Sequence, residues 1–176
     1  MPFIYYPNSV LPAEPAEHEI TWHSKVGSLG SILGRRWQTD VELRHISNPA
    51  CGDLRNRTQA LHFLDFRIAD VPTIILGISL RILAQRNGRI TDEQIQLTYK
   101  NQAIGVNHVN YITDTEGHLP LGNDTIYGGP TDLWEADITA EMLQDPSFGV
   151  ILKFQSHPYY PHSCGMMLDS VTLTVY

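Results

Sequence analysis

The segment Ile126-Tyr-Gly-Gly-Pro-Thr-Asp-Leu-Trp134 lies between two long strand patterns and precedes a short helical segment. Its adjacent glycines, Gly128 and Gly129, permit backbone turns that residues with a Cβ resist, and a proline follows them. Tyr127 and Trp134 flank the turn and supply large apolar area, each with a polar tip that needs a partner. The pattern predicts a rigid aromatic corner joining two sheet strands, with a structural role and not a catalytic one.

Strands with alternating apolar residues lie on both sides of this corner. A two-residue period runs through residues 73–85, 94–100, 148–155 and 171–175. Asn87-Gly88, after the first of these strands, is the dipeptide most typical of a hairpin turn, and Asp92 falls in the approach to the second. The only convincing helix lies near residues 139–144, where Thr139 is a suitable N-cap. We therefore predict an all-β fold, an antiparallel β-sandwich with one short helix.

Residues 1–16 have a different composition from the rest of the chain. Their closely spaced prolines exclude a helix or a central strand, and their apolar residues make them unlike a solvated tail. We predict an extended N-terminal arm that lies on its own domain or on a neighbouring subunit, with residues 17–176 forming a single β-sandwich domain. If so, deleting the arm abolishes assembly and leaves the domain folded. The predicted assembly residues of the arm are Phe3, Ile4, Tyr5 and Tyr6.

Composition limits the partners of this chain of 176 residues. Hydrophobic residues make up 42% and charged residues 18%, which argues against intrinsic disorder. The net charge of −7 argues against nucleic acid as a partner, since phosphate binding needs a clustered basic surface. No secretory signal is visible, and no apolar run approaches the ~20 residues needed to span a bilayer, so we expect no membrane insertion. The pairing of Cys51 and Cys164 is left open.

Several motifs occur together and in order in the C-terminal part of the chain. They are Gly77-Ile-Ser-Leu-Arg-Ile82, Gly88-Arg-Ile-Thr-Asp-Glu-Gln-Ile-Gln-Leu97, Ile104-Gly-Val-Asn107, the aromatic corner, Asp145-Pro-Ser-Phe-Gly-Val150 and Leu168-Asp-Ser-Val-Thr-Leu-Thr-Val-Tyr176. Over roughly residues 60–176 this order resembles β-sandwich domains of tailed-bacteriophage virion proteins, of the tail, neck, fibre or capsid-decorating kind. One departure is that Trp134 is followed by Glu135-Ala136, where the family pattern has a glycine.

The resemblance implies a jelly-roll-like sandwich without enzymatic activity. It further implies a protein synthesised in the host cytoplasm and incorporated in the virion. Its partners would then be other virion proteins and copies of itself, the latter as a homo-oligomer. These motifs are structural. They indicate a type of domain and not its function, because one fold can serve many functions.

Two groups of residues are candidates for metal binding. His157, His162 and Cys164 lie in one proline-broken loop, and imidazole with thiolate suits zinc. No Cys-x-x-Cys pair supports them, so we favour a plain surface loop. Oxygen ligands between residues 107 and 132 suggest calcium, but they lack the spacing of a known calcium loop and are typical of turns. We therefore predict no metal and no cofactor; the oxygen ligands considered are Asp114, Glu116, Asn123, Asp124 and Asp132.

Catalysis is not expected, and glycan binding is the alternative function. The chain has no nucleophile elbow, phosphate loop or zinc-protease motif, and Glu135 with Asp137 is more typical of solvated acids than of a glycosidase pair. Sugar faces stack on exposed aromatic rings, for which Trp134, Tyr159 and Tyr160 are the candidates. We interpret Trp134 as buried packing. Tyr159 and Tyr160 remain candidates for contact with a host-surface glycan or a protein partner.

Overall fold

The computed structural model describes residues 3–14, 22–26, 35–39, 57–87, 90–109, 124–156 and 165–176. Within these ranges the chain forms eleven strands and one helix. Their bounds are β1 Phe3–Tyr5, β2 Ser9–Pro12, β3 Trp22–Val26, β4 Arg35–Thr39, β5 Leu61–Leu64, β6 Ile78–Asn87, β7 Ile90–Tyr99, β8 Gln102–Ile104, β9 Asp124–Gly128, α1 Ala140–Gln144, β10 Gly149–Ser156 and β11 Gly165–Val175.

The strands form two sheets. The first has the order β3-β4-β11-β6-β9, with β1 also paired to β11, and the second has the order β2-β5-β10-β7-β8. All of these pairings are antiparallel. The prediction of an all-β antiparallel sandwich with one short helix is therefore confirmed. Among the described residues, no helix is long and apolar enough to cross a membrane.

The core lies between the sheets. Alternating residues that the sequence indicates build most of it, and Met166 and Leu168 of β11 add to them. Ile78, Leu80 and Ile82 of β6 are buried, and so are Phe148 and the inward residues of β10 and β11. Burying each large apolar side chain contributes about 1.5–3 kcal/mol, which offsets the conformational entropy lost on folding. The remaining inward residues of β10 and β11 are Val150, Leu152, Phe154, Met166, Leu168, Val171, Leu173 and Val175.

The expected hairpin at Asn87-Gly88 is wrong. β6 belongs to the first sheet and β7 to the second, so the two strands do not pair. Each strand has one apolar face, and placing them in opposite sheets points both faces into the same core. A two-residue hairpin instead joins β7 to β8 through Lys100 and Asn101, whose φ angles of 50° and 63° suit such a turn.

The short helix begins and ends as predicted. Oγ1 of Thr139 accepts a hydrogen bond from the amide of Met142 at 3.3 Å, which satisfies one of the free amides of the first turn. Leu143 packs into the core, and the chain turns out of the helix at Asp145. The helix therefore serves to lead the chain into β10.

The N-terminal arm lies on its own domain, which is one of the two alternatives expected. β1 pairs with β11, setting Phe3 opposite Val175, and β2 pairs with β5, setting Ser9 opposite Leu64. Between them, the amide nitrogen and Nδ2 of Asn8 both donate to the carbonyl oxygen of Asp65, at 3.0 and 2.8 Å. The arm thus crosses from one sheet to the other and contributes a strand to each.

Candidate functional site

The aromatic corner begins where β9 ends. Gly128 has a φ of +69°, a left-handed conformation that glycine adopts without strain. The next amide, of Gly129, donates to the carbonyl of Ile78 at 3.1 Å, and the amide of Ile78 donates to the carbonyl of Asp132 at 2.8 Å. The turn therefore continues the pairing with β6 beyond the end of β9.

Trp134 closes the corner from inside. Its side chain is fully buried, and Nε1 donates to the carbonyl of Ile78 at 2.9 Å. A Cβ built on Gly128 would lie 2.5 Å from this Nε1, so the indole occupies the space that the glycine leaves. Trp134 and Glu135 have φ angles of 59° and 52°, so the chain leaves the corner through two left-handed residues.

Asp132 and His108 hold the backbone and ring of Trp134. Oδ1 of Asp132 accepts from the Trp134 amide at 2.7 Å, while Oδ2 lies 3.1 Å from Nε2 of His108. The imidazole meets the indole edge to face, with ring centroids 4.4 Å apart and an interplanar angle of 73°. This carboxylate and imidazole serve to position the indole, and within the described ranges no group of three or more His, Cys, Asp or Glu residues is placed to hold a metal.

A buried carboxyl group, which was not expected from the sequence, lies at the same corner. Asp92 is fully buried and accepts a hydrogen bond at 2.7 Å from the hydroxyl of Tyr127, itself buried. β10 pairs Lys153 with Gln94 but Phe154 with Asp92, which makes Glu93 the extra residue of a β-bulge. The bulge reverses the alternation of β7, so that Asp92 points into the core.

The hydroxyl of Tyr127 is expected to stabilise the fold. Tyr127→Phe removes a hydrogen-bond donor from a buried carboxyl group, so the free energy of unfolding should fall by about 1–3 kcal/mol. Tyr5→Phe is the matched control, since the Tyr5 hydroxyl donates to the carbonyl of Asp70 at 2.9 Å at an exposed position. Urea denaturation of both variants measures the difference. Equal losses of stability in the two variants would show that the buried Tyr127 hydrogen bond contributes no more than the exposed Tyr5 hydrogen bond.

Two residues of the predicted assembly arm, Ile4 and Tyr6, are exposed in the structure. Phe3 and Tyr5 stand opposite Val175 and Leu173, which are core residues of β11. Ile4 is 61% exposed and Tyr6 is 59% exposed, so their apolar surfaces face solvent. Ile4 and Tyr6 therefore stand out as candidates for contact with another molecule.

The remaining candidates lie outside the described residues. They include both possible contact residues, both cysteines, the histidines of the candidate zinc loop, and three of the oxygen ligands considered for calcium. Of the five oxygen ligands, Asp124 and Asp132 are described, and their carboxylates pair with Arg81 and His108 respectively. The predictions that remain outside are those for Tyr159, Tyr160, Cys51, Cys164, His157, His162, Asp114, Glu116 and Asn123.

No family model, curated protein or solved structure matches the chain. The resemblance of residues 60–176 to bacteriophage virion domains therefore stays a prediction from the sequence.

Proposed function

We propose that the chain is a non-enzymatic structural protein of a bacteriophage virion, which assembles on the capsid, neck or tail. Its partners are other virion proteins and copies of itself. The observation that supports assembly most directly is the arm, which is fixed by pairing to both sheets yet exposes three large apolar side chains. These are Ile4 at 61%, Tyr6 at 59% and Leu11 at 53% exposure. The phage assignment rests on the sequence resemblance.

A fixed arm suits an assembly contact for an energetic reason. Apolar area removed from water contributes about 25 cal/mol per Å², and ordering a flexible segment opposes that gain. Here the backbone is already ordered by hydrogen bonds to β11 and β5, so a partner that covers the arm orders only side chains. The arm is therefore preorganised for contact.

The order of the strands supports the jelly-roll-like winding within this proposal. The antiparallel pairs β4·β11, β5·β10, β6·β9 and β7·β8 are nested inside one another along the chain. Winding one long antiparallel ribbon into two sheets produces such nesting. Jelly rolls occur in viral capsid proteins and also in lectins. The winding is therefore compatible with a virion protein but does not distinguish it from a glycan-binding protein.

Glycan binding, as in a receptor-binding fibre, is the second candidate and has less support. Trp134 is fully buried and so does not offer its ring to a sugar. The other two candidate rings, Tyr159 and Tyr160, lie outside the described residues. A glycan array probed with the intact chain tests this function directly, and binding that is lost in Tyr159→Ala with Tyr160→Ala would favour it over assembly.

Removing the exposed apolar groups of the arm is expected to reduce assembly while keeping the fold. We expect the variant Ile4→Gln, Tyr6→Gln, Leu11→Gln to have a smaller mass by light scattering than the wild type. Its free energy of unfolding should change by roughly 0.5 kcal/mol per site or less, as for most surface substitutions. Deleting residues 1–16 is a poorer test because it also removes β1 and β2.

Ile74→Gln is the control for this experiment. Ile74 is 71% exposed but lies in the segment before β6, outside the arm. Its substitution should leave the assembled mass unchanged. An unchanged mass in the triple arm variant would contradict the assembly role of the arm. Absence of the chain's peptides from particles purified from its source strain would contradict the virion assignment itself.

A further inference from the structure

His62 of β5 lies on the outward side of the second sheet, next to the arm. Its neighbours along the strand, Leu61 and Phe63, are fully buried in the core, so the imidazole points the other way. Leu11 of the arm strand β2 stands opposite His62 on one side, and Ile151 of β10 stands opposite it on the other. Side chains in such cross-strand pairs touch. The imidazole therefore lies between two apolar side chains, and one of them belongs to the arm.

No acidic side chain of the described residues faces His62 from the strands packed beside it. The one charged residue of β10 is Lys153, a cation, which cannot stabilise an imidazolium. Glu14 of the arm follows the end of β2 and is exposed, and Asp65, which follows β5, pairs with Arg67. The outward side chains around His62 are Ser9, Leu11 and Ala13 of the arm, Ile151 and Lys153 of β10, and Gln94 and Gln96 of β7.

Burial lowers the pKa of His62, because an imidazolium between apolar side chains loses part of its hydration. The folded chain therefore binds this proton less readily than the unfolded chain does. Where the unfolded chain binds more protons, stability falls as the pH falls. For His62 this loss begins as the pH drops through the ordinary histidine pKa of 6.5 and is complete below the lower folded pKa.

We propose that His62 makes the attachment of the arm strand β2 sensitive to acid. A neutral imidazole packs against Leu11, whereas a protonated one is hydrated better when Leu11 moves away, so β2 then pairs less strongly with β5. Among the described strands β2 is at the edge of its sheet and pairs only with β5, so it can separate without breaking another pairing. The inference concerns contacts within one chain and does not depend on a virion role.

Hydrogen exchange of the full-length chain at two pH values tests the proposal. The protection factor of the β2 backbone, corrected for the intrinsic effect of pH on exchange, should fall at least roughly threefold between about pH 7.5 and about pH 5.5. His62→Gln keeps a polar side chain but takes up no proton, so its β2 protection should stay constant. The other titrating groups are common to both proteins, so the comparison isolates His62. The strand β1, paired to the other sheet, should keep its protection in both proteins.

The same coupling can be measured at the imidazole itself. Linkage is reciprocal, so if protonation loosens the arm, the arm must in turn lower the pKa of His62. Leu11→Ala uncovers the imidazole and should move its NMR titration midpoint up towards the ordinary histidine value. Ile4→Ala is the matched control, because Ile4 is a similarly exposed apolar residue of the arm that pairs with the first sheet. It should leave the midpoint unchanged.

Three results would overturn the proposal. The first is a wild-type titration midpoint of His62 at or above that of an ordinary histidine. The second is an equal change of that midpoint in Leu11→Ala and Ile4→Ala. The third is the same loss of β2 protection in His62→Gln as in the wild type, which would assign the acid sensitivity to other groups. Thermal unfolding at neutral pH checks that the variants fold, and the titration midpoints decide the question if His62→Gln does not.

Discussion

Replacing Trp134 with alanine is expected to lower the free energy of unfolding by about 3–5 kcal/mol, the usual cost of truncating a large buried aromatic residue. The indole is fully buried in the corner, and three elements of the fold depend on it. β6 is tied to it through the carbonyl of Ile78, β9 packs its terminal glycine against the ring, and His108 contacts the ring edge. The variant therefore loses packing and a buried hydrogen bond together.

Trp134→Phe separates these two contributions. Phenylalanine keeps much of the apolar area but has no donor for the carbonyl of Ile78, so we expect a smaller loss of stability than with alanine. Urea denaturation with a check that the m-value is unchanged gives the two free energies. If Trp134→Ala unfolds within 1 kcal/mol of the wild type, the corner does not organise the fold as described.

Gly128→Ala is expected to cost about 2–5 kcal/mol, whereas Gly129→Ala should be nearly neutral. At Gly128 the left-handed φ penalises any residue with a Cβ by roughly 1–2 kcal/mol, and crowding adds roughly 1–3 kcal/mol. The new methyl group would meet the Ile78 carbonyl and the Trp134 indole nitrogen. At Gly129 an added Cβ meets no atom within 4 Å, and the φ angle is not in the left-handed region.

Gly129→Ala is the matched control for Gly128→Ala. Both variants make the same chemical change, one residue apart, in the same turn. Thermal unfolding of the two proteins should therefore show a much lower midpoint for Gly128→Ala alone. Similar midpoints would mean that the turn adjusts its backbone, and that the close contact between Gly128 and Trp134 is not required.

The aromatic corner was predictable from the sequence only in part. The adjacent glycines and flanking aromatic residues indicated a tight turn, and the structure has one. The sequence does not indicate which of the two glycines the turn requires, because a pair of adjacent glycines predicts a turn without distinguishing its members. The contacts that distinguish them come from the carbonyl of Ile78, which is distant in sequence, and from the indole of Trp134, whose position depends on tertiary packing.

The burial of Asp92 was not predictable from the alternation of residues in the sequence. Alternation along residues 94–100 is regular, and extending it towards the N-terminus of β7 would place Asp92 outward. The extra residue Glu93 shifts the phase, and nothing in the local composition signals a bulge. The bulge is visible only in the pairing of β7 with β10. That partner strand begins more than fifty residues after Glu93 in the chain.

Local sequence patterns predicted the all-β class, the short helix after the corner, and the inward residues of β6, of β10 and of the last part of β11 from Val171 to Val175. These follow from local periodicity and capping, which depend on neighbours in the chain. Tertiary structure alone decided that β6 and β7 lie in opposite sheets, that the arm pairs with both sheets, and that Arg81 and Asp124 share one face. The physical reason is that strand pairing joins residues distant in sequence, and each strand's partner is set by the burial of apolar faces across the whole sandwich.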